Sequence, residues 1–226
     1  LAYQLQETGV RDYFVVPGII FRWKTANVIC TDKFAIGDFH LNLLDQLLKN
    51  QALHMVGCCN ELNAGYAADG YARSSPAKVA VVMVTFMVGG LSIINAIAGA
   101  YSDHLRVVVI SGCPRSETFV QDRIIHHTLG ITDRDQALRM FKEVTTASVR
   151  LDRDEPNPAS LLEQILMRCV QESLPVYIEI SSDLAEMPCK PPGPWIRQVP
   201  KCVGKVIFHL LWMRFPTLGG TPLSRC

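Results

Sequence analysis

Glu61 follows an apolar run and opens a segment rich in alanine and glycine. A carboxyl at the mouth of an apolar crevice holds its proton more readily, because desolvation disfavours the charged form, and such a group suits proton transfer near neutral pH. The small residues behind it, Ala64, Gly65, Ala67, Ala68 and Gly70, let other backbone or a ligand come close. A second reading needs no chemistry: a Glu in the first turn of a helix complements the helix dipole. On Glu61 alone the second reading prevails. His126 and His127 are adjacent, and neighbouring helical side chains point about 100° apart, so the pair is a poor chelate for one metal ion. Asp38 precedes a helical pattern and serves equally as an N-cap or turn residue. Thr85 ends an apolar strand, where β-propensity alone accounts for it. None of these groups identifies a reaction by itself.

The elements that must position them alternate between strand and helix from Tyr13 to Ile180. Strands are expected at 13–16, 54–59, 79–86, 106–111 and 176–180, each short and apolar. Helices are expected at 39–49, with Leu43, Leu44, Leu47 and Leu48 on one face, and at 61–73, 92–102 and 160–172. Alternation with near-continuously apolar strands predicts an α/β domain, a mostly parallel sheet with helices on both faces. Ligands of such sheets bind beyond the carboxyl ends of the strands. That directs attention to Pro17-Gly18, Asn60-Glu61, the segment 85–90 and Gly112 onward. None of these carries a G-x-G-x-x-G or G-x-x-x-x-G-K-[ST] pattern, so dinucleotide and Walker-type phosphate sites are not supported.

Composition narrows the function classes. The 226 residues are 49% apolar and 19% charged, as in ordinary globular domains, with a net charge of +1. That balance gives no reason to expect nucleic acid or an acidic membrane as partner. Eight cysteines without a C-x-x-C pair argue against a zinc or thioredoxin-like site and fit a reducing, cytoplasmic compartment. Cys58 and Cys59 are expected as buried free thiols. Residues 79–102 contain no charge, long enough to cross a bilayer. The β-branched start, Gly89-Gly90 and the later small residues instead predict a buried strand, a tight turn and a packed helix. The first residue, Leu1, is not a methionine, so the start of the chain is expected to be missing. After Met187, Pro188, Pro191, Pro192 and Pro194 mark a linker over 188–200, and 201–226 is too short for a further domain.

The segment Gly57-Cys58-Cys59-Asn60-Glu61-Leu62-Asn63-Ala64-Gly65-Tyr66-Ala67-Ala68-Asp69-Gly70-Tyr71-Ala72-Arg73 resembles the signature helix of the thiamine-diphosphate-dependent 2-oxo acid decarboxylases, pyruvate decarboxylases above all. So do Val84-Thr85-Phe86, Val88-Gly89-Gly90-Leu91-Ser92, the run 95–102 and Arg123-Ile124-Ile125-His126-His127-Thr128. The resemblance covers residues 1–187, interrupted at 19–37. Acetolactate synthases share the Ala-Asp-Gly-Tyr-Ala-Arg ending but lack the Asn-Glu-Leu start and the histidine pair, so the likeness favours decarboxylation over carboligation. It implies the N-terminal, pyrimidine-binding domain. Glu61 would hydrogen-bond the pyrimidine N1′ of thiamine diphosphate, and Thr85 and Val88 would border the ring. Asp38, His126 and His127 would position a 2-oxo acid, pyruvate by resemblance, and deliver a proton to the product. The 23 residues from Asp38 to Glu61 and the 41 from Thr85 to His126 match the family pattern.

The departures carry expectations of their own. Residues 19–37 separate Pro17-Gly18 from Asp38-Phe39, which are continuous in the family, and are expected to form an exposed or poorly ordered loop. With 201–226 they read as translated non-coding sequence, the alternative being a genuine variant loop and tail. Met87 replaces a small hydroxyl residue. No Gly-Asp-Gly motif occurs, so the ligands for diphosphate and Mg²⁺ are expected in a C-terminal domain that this chain does not contain. The chain would therefore be a fragment, inactive alone, of an enzyme that assembles as a homodimer or homotetramer through this domain. The alternative is a non-catalytic interaction module that pairs with full-length decarboxylase subunits.

Overall fold

A computed structural model describes residues 1–16, 39–120, 124–125, 127–130 and 132–187. The expectations for Asp38, His126, the segment 19–37, the linker and the tail lie outside the described residues.

Six strands form one parallel sheet in the order β2-β1-β3-β4-β6-β5: β1 Asp12–Val15, β2 His54–Gly57, β3 Val79–Val84, β4 Arg106–Cys113, β5 Ala147–Leu151 and β6 Val176–Ser181. The three central long strands β3, β4 and β6 are buried along their whole length. This is why they read as unbroken apolar runs rather than alternating ones. Six helices cover the sheet: α1 Ala2–Glu7, α2 Leu41–Leu47, α3 Glu61–Ser74, α4 Val88–Ser102, α5 Gln136–Lys142 and α6 Pro158–Glu172. One apolar cluster joins Leu5, the leucines of α2 and Leu162, Ile165, Leu166 and Cys169 of α6 to Tyr13, Val81 and Ile110. The other joins Ala64 and Ala68 of α3, Ile93 and Ile97 of α4 and Phe141 of α5 to Phe14, Val82 and Val109. Alternate residues of each strand serve opposite faces, giving three layers with helices on both sides of the sheet.

Local chemistry fixes the helix that matters most. The Asn60 side chain accepts from Leu62 N at 2.8 Å and caps α3. Gly65 lies where α3 meets α4: a Cβ there would stand 2.7 Å from Ala96 Cβ and 2.8 Å from Ile93 Cγ1. Asp69 and Arg73, one turn apart, pair at 2.6 Å, and Arg73 also reaches Asp103 just past the end of α4. Tyr71 stacks edge-on against Phe14 of β1, and its hydroxyl accepts from Arg11 N. Much of the 57–73 signature therefore holds α3 against its neighbours.

Three expectations need correction. The turn before α4 falls at Phe86-Met87, and Gly89 and Gly90 are in the helix's first turn, so α4 starts four residues before the predicted Ser92. Their role is close approach rather than helix breaking, as the site shows below. Cys59 is exposed and Cys58 half-buried, because β2 is the sheet edge and all four of its residues are exposed. His127 lies in a turn with φ 61°, so the helical geometry used for the histidine pair does not apply at that residue. Elements α1, α5 and β5 were not anticipated. Each has five to seven residues, and none carries the repeated leucines of α2 or the unbroken apolar run of β3. Among the described residues no helix is long and apolar enough to cross a membrane; the charge-free stretch is β3, a turn and α4.

Candidate functional site

The sheet order places a crevice between β1 and β3. Chain leaving β1 passes through α2 to β2 on one side, while chain leaving β3 passes through α4 to β4 on the other. The carboxyl ends of β1 and β3 thus flank the switch point at which such sheets take their ligands. Thr85 follows β3 directly, the segment 16–39 follows β1, and Glu61 opens α3 after β2.

Glu61, Thr85 and the first turn of α4 converge. A Cβ placed on Gly89 would lie 3.1 Å from Val84 Cβ, 3.3 Å from Thr85 Cγ2 and 3.6 Å from Glu61 Oε1. A side chain at this position would be tight against Val84 and Thr85, and glycine lets the α4 backbone settle there with the Glu61 carboxyl beside it. Among the described residues nothing hydrogen-bonds the half-buried Glu61 carboxyl. Thr85 is 8% exposed, and its Oγ1 is buried without a hydrogen-bond partner among the described residues. A buried hydroxyl left unpaired costs roughly 1–3 kcal/mol, and a ligand atom could relieve that cost. Val88, the first residue of α4 and the neighbour of Gly89 in the chain, is 40% exposed.

Met87 turns the chain from β3 into α4. Its backbone stands at φ 51°, ψ −77°, outside the regions open to ordinary residues, while its side chain is buried among Phe86 and Ile93. Strain of this kind costs of order 1–3 kcal/mol and collects at functional sites. Met87 was anticipated only as a bulky replacement; its backbone conformation was not.

Aromatic contacts gather the remaining segments. Phe39 meets Phe86 edge-on at 5.9 Å and His127 edge-on at 6.3 Å. One ring thus joins the segment after β1, the turn after β3 and the histidine loop. Behind it, the fully buried His40 lies against Gly112 of β4: a Cβ on Gly112 would fall 2.4 Å from His40 N. Phe39 and His40 are therefore held above the ends of β3 and β4. Glu61 and Thr85 come together around Gly89, and His127 is drawn to Phe39.

Farther along the carboxyl ends is a polar network that sequence reasoning missed. Glu179 of β6 is fully buried and accepts from Arg150 Nε at 2.8 Å and from the Tyr177 hydroxyl at 3.0 Å. Burial pushes its carboxyl up to about 7, against the opposing pull of Arg150 and Tyr177. Tyr177 stacks flat on Phe141 at 3.8 Å, and a Cβ on Gly90 would stand 3.2 Å from that Phe141 ring. Cys113 Sγ lies 3.5 Å from Ser181 Oγ, and burial raises its thiol well above the ordinary range.

Known proteins match this chain over the same region. The family described as "Thiamine pyrophosphate enzyme, N-terminal TPP binding domain" matches residues 34–137, a span that includes Asp38, Glu61, Thr85, Val88, His126 and His127. A pyruvate decarboxylase of Arabidopsis thaliana is 46% identical over 188 residues, 83% of this chain and 28% of the relative. Pyruvate decarboxylases of Pisum sativum and Oryza sativa subsp. japonica are each 44% identical over 188 residues, 83% of this chain and 28% and 27% of theirs. The chain spans a little over a quarter of the length of these relatives.

Proposed function

Because this chain belongs to the thiamine pyrophosphate enzymes, with a pyruvate-decarboxylase-like N-terminal domain, we propose that it forms the aminopyrimidine-binding part of a non-oxidative 2-oxo acid decarboxylase converting pyruvate to an aldehyde and carbon dioxide. The observation that carries this reading is the Glu61 carboxyl, without a hydrogen-bond partner among the described residues, gathered around Gly89 with Thr85, whose buried hydroxyl also lacks a partner among them. One acid and one hydroxyl residue gathered around Gly89, with the exposed Val88 beside it in the chain, suit a planar heterocycle with ring nitrogens and an apolar face.

In this reading Glu61 holds the proton at the pyrimidine N1′, and Thr85 and Val88 border the ring. Gly89 keeps the space clear. When bound, the cofactor supplies a thiazolium that accepts the electron pair left as carbon dioxide departs. Asp38, His126 and His127 orient the 2-oxo acid and carry a proton to the product carbon. Residues 1–226 hold no Gly-Asp-Gly motif, so we place the Mg²⁺ and diphosphate ligands in a separate domain of the kind the family uses. Free thiols at Cys113 and Cys169 are compatible with the cytoplasmic, reducing setting that we propose.

A chimera tests the reading: residues 1–187 without 19–37, joined to the remaining domains of a plant pyruvate decarboxylase. Cofactor-dependent carbon dioxide release from pyruvate is expected, and a folded chimera with no turnover would overturn it. A second reading, an interaction module for decarboxylase subunits, is favoured by the β2 edge, where Met55 and Val56 are each 37% exposed. Co-sedimentation of 1–226 with an intact plant pyruvate decarboxylase is expected if pairing occurs, and its absence would remove this reading.

A further inference from the structure

We infer that Arg150 of β5 is a positioning residue for the histidine loop, fastening its C-terminal end to the sheet through Glu179 and Asp135. Among the described residues this guanidinium donates from Nε to Glu179 Oε2 at 2.8 Å, from Nη1 to Asp135 Oδ1 at 2.7 Å and from Nη2 to the Arg134 carbonyl at 2.7 Å. Glu179 sits on a central strand and is fully buried, whereas Arg134 and Asp135 end the segment that carries His127. Arginine suits this bridge because its planar fork addresses several acceptors at fixed angles, which a lysine ammonium cannot do.

The other end of the same segment is also tied down. Asp183, just beyond β6, accepts from Ser116 N at 3.0 Å and from Ser116 Oγ at 3.2 Å, and Ser116 Oγ accepts from Arg153 N at 2.9 Å. The described ends of this segment are therefore both tied by polar bonds, Arg134 and Asp135 to Arg150 within β5, and Ser116 to Arg153 and Asp183 just beyond β5 and β6. Between them, His127 meets Phe39. The groups facing Glu179 are Arg150 from β5, Tyr177 from its own strand, Cys113 from β4 and Asp135 from the loop. Among the described residues Arg150 is the cation in this group, and it joins the loop acid to the buried acid.

This inference rests on reading His127 as a site residue, but its test needs no cofactor. The His127 ring resonances and the amide exchange of 127–135 are measured by NMR in the 1–226 chain and in Arg150→Gln, Arg150→Lys and Asp135→Ala. Arg150→Gln and Asp135→Ala are expected to shift the ring resonances and speed loop exchange about tenfold or more, as loss of a charged hydrogen bond implies, with Val81 and Val109 amides unchanged. Arg150→Lys should not restore the loop. Unmoved His127 resonances in a folded variant, or exchange rising equally in loop and core, would overturn the assignment. Should Arg150→Gln fail to fold, Asp135→Ala decides, because the Asp135 side chain is 63% exposed and the Arg150–Glu179 pair remains. Failure of the decarboxylase reading registers separately, as a folded chimera without turnover.

Discussion

Glu61 has two possible jobs, and they differ in what its amide replacement would do. Glu61→Gln in the active chimera is expected to lower turnover roughly 10²- to 10⁴-fold, the usual loss for one positioned acid–base group. If Glu61 only complements the dipole of α3, the same change removes roughly 0.3–1 kcal/mol of stability and leaves turnover almost intact. Thermal unfolding and turnover measured on one preparation separate the two. Gly89 gives an independent check. Gly89→Val would place branched carbons between Val84, Thr85 and Glu61, and it is expected to abolish turnover while the sheet still folds. Wild-type turnover in that variant would show that the opening is not used. Val88 and the roles of all three residues came only from the family resemblance, whereas the placement of Glu61 at a helix start and of Thr85 at a strand end was legible in the sequence. Their convergence was not, because it depends on a glycine whose part lies in what its missing Cβ would strike. Arg150 and Glu179 were also hidden. A charge inside a short run such as Ala147–Leu151 or Val176–Ser181 looks like a solvated position until its partner across the sheet is known.

At the scale of elements, the contact between α3 and α4 decides how well the site is held. Two glycines of α3 make opposite predictions. Gly65→Leu must push into Ala96 and Ile93 and is expected to destabilise the chain by about 1–3 kcal/mol. Gly70 has nothing within 4 Å of a built Cβ, so Gly70→Ala is expected to stabilise by roughly 0.5–1 kcal/mol through helix propensity alone. Urea unfolding of both variants checks the pair; equal effects would mean that α3 and α4 are not in tight contact. The main elements were predictable from their patterns: leucines at helical spacing in α2 and continuous apolar residues in β3 and β4. The start of α4 was misplaced because two glycines suggested a turn. Burial explains the error, since these glycines make room for Thr85 and for the Phe141 ring rather than for a reversal of the chain.

For the whole molecule, Glu179 couples folding to pH. Its folded carboxyl titrates at about 7 against an ordinary 4.5, so the folded state holds the proton more tightly than the unfolded one. The stabilisation is fully present below pH 4.5, is lost as pH rises through about 7, and amounts to roughly 3 kcal/mol in all. The difference in unfolding free energy between the wild-type chain and Glu179→Gln is expected to fall across that window and to be level above it. A difference independent of pH would show that Glu179 is not the responsible group. The purified 1–226 polypeptide is also expected to release no carbon dioxide from pyruvate with thiamine diphosphate and Mg²⁺; turnover free of host enzyme would contradict the proposed division of ligands between domains.

The strand order also bears on how the domain forms during synthesis. The first strand made, β1, ends in the sheet interior beside β3, and β4 pairs on its far side with β6, whose residues follow some sixty positions later. Until Val176–Ser181 has left the ribosome, one side of β4, a strand buried at every position, remains an open edge. Such an edge is a template for pairing with another chain. Nascent chains stalled between Cys113 and Pro175 are therefore the ones that need chaperone cover, and the domain completes its fold only when its last strand arrives.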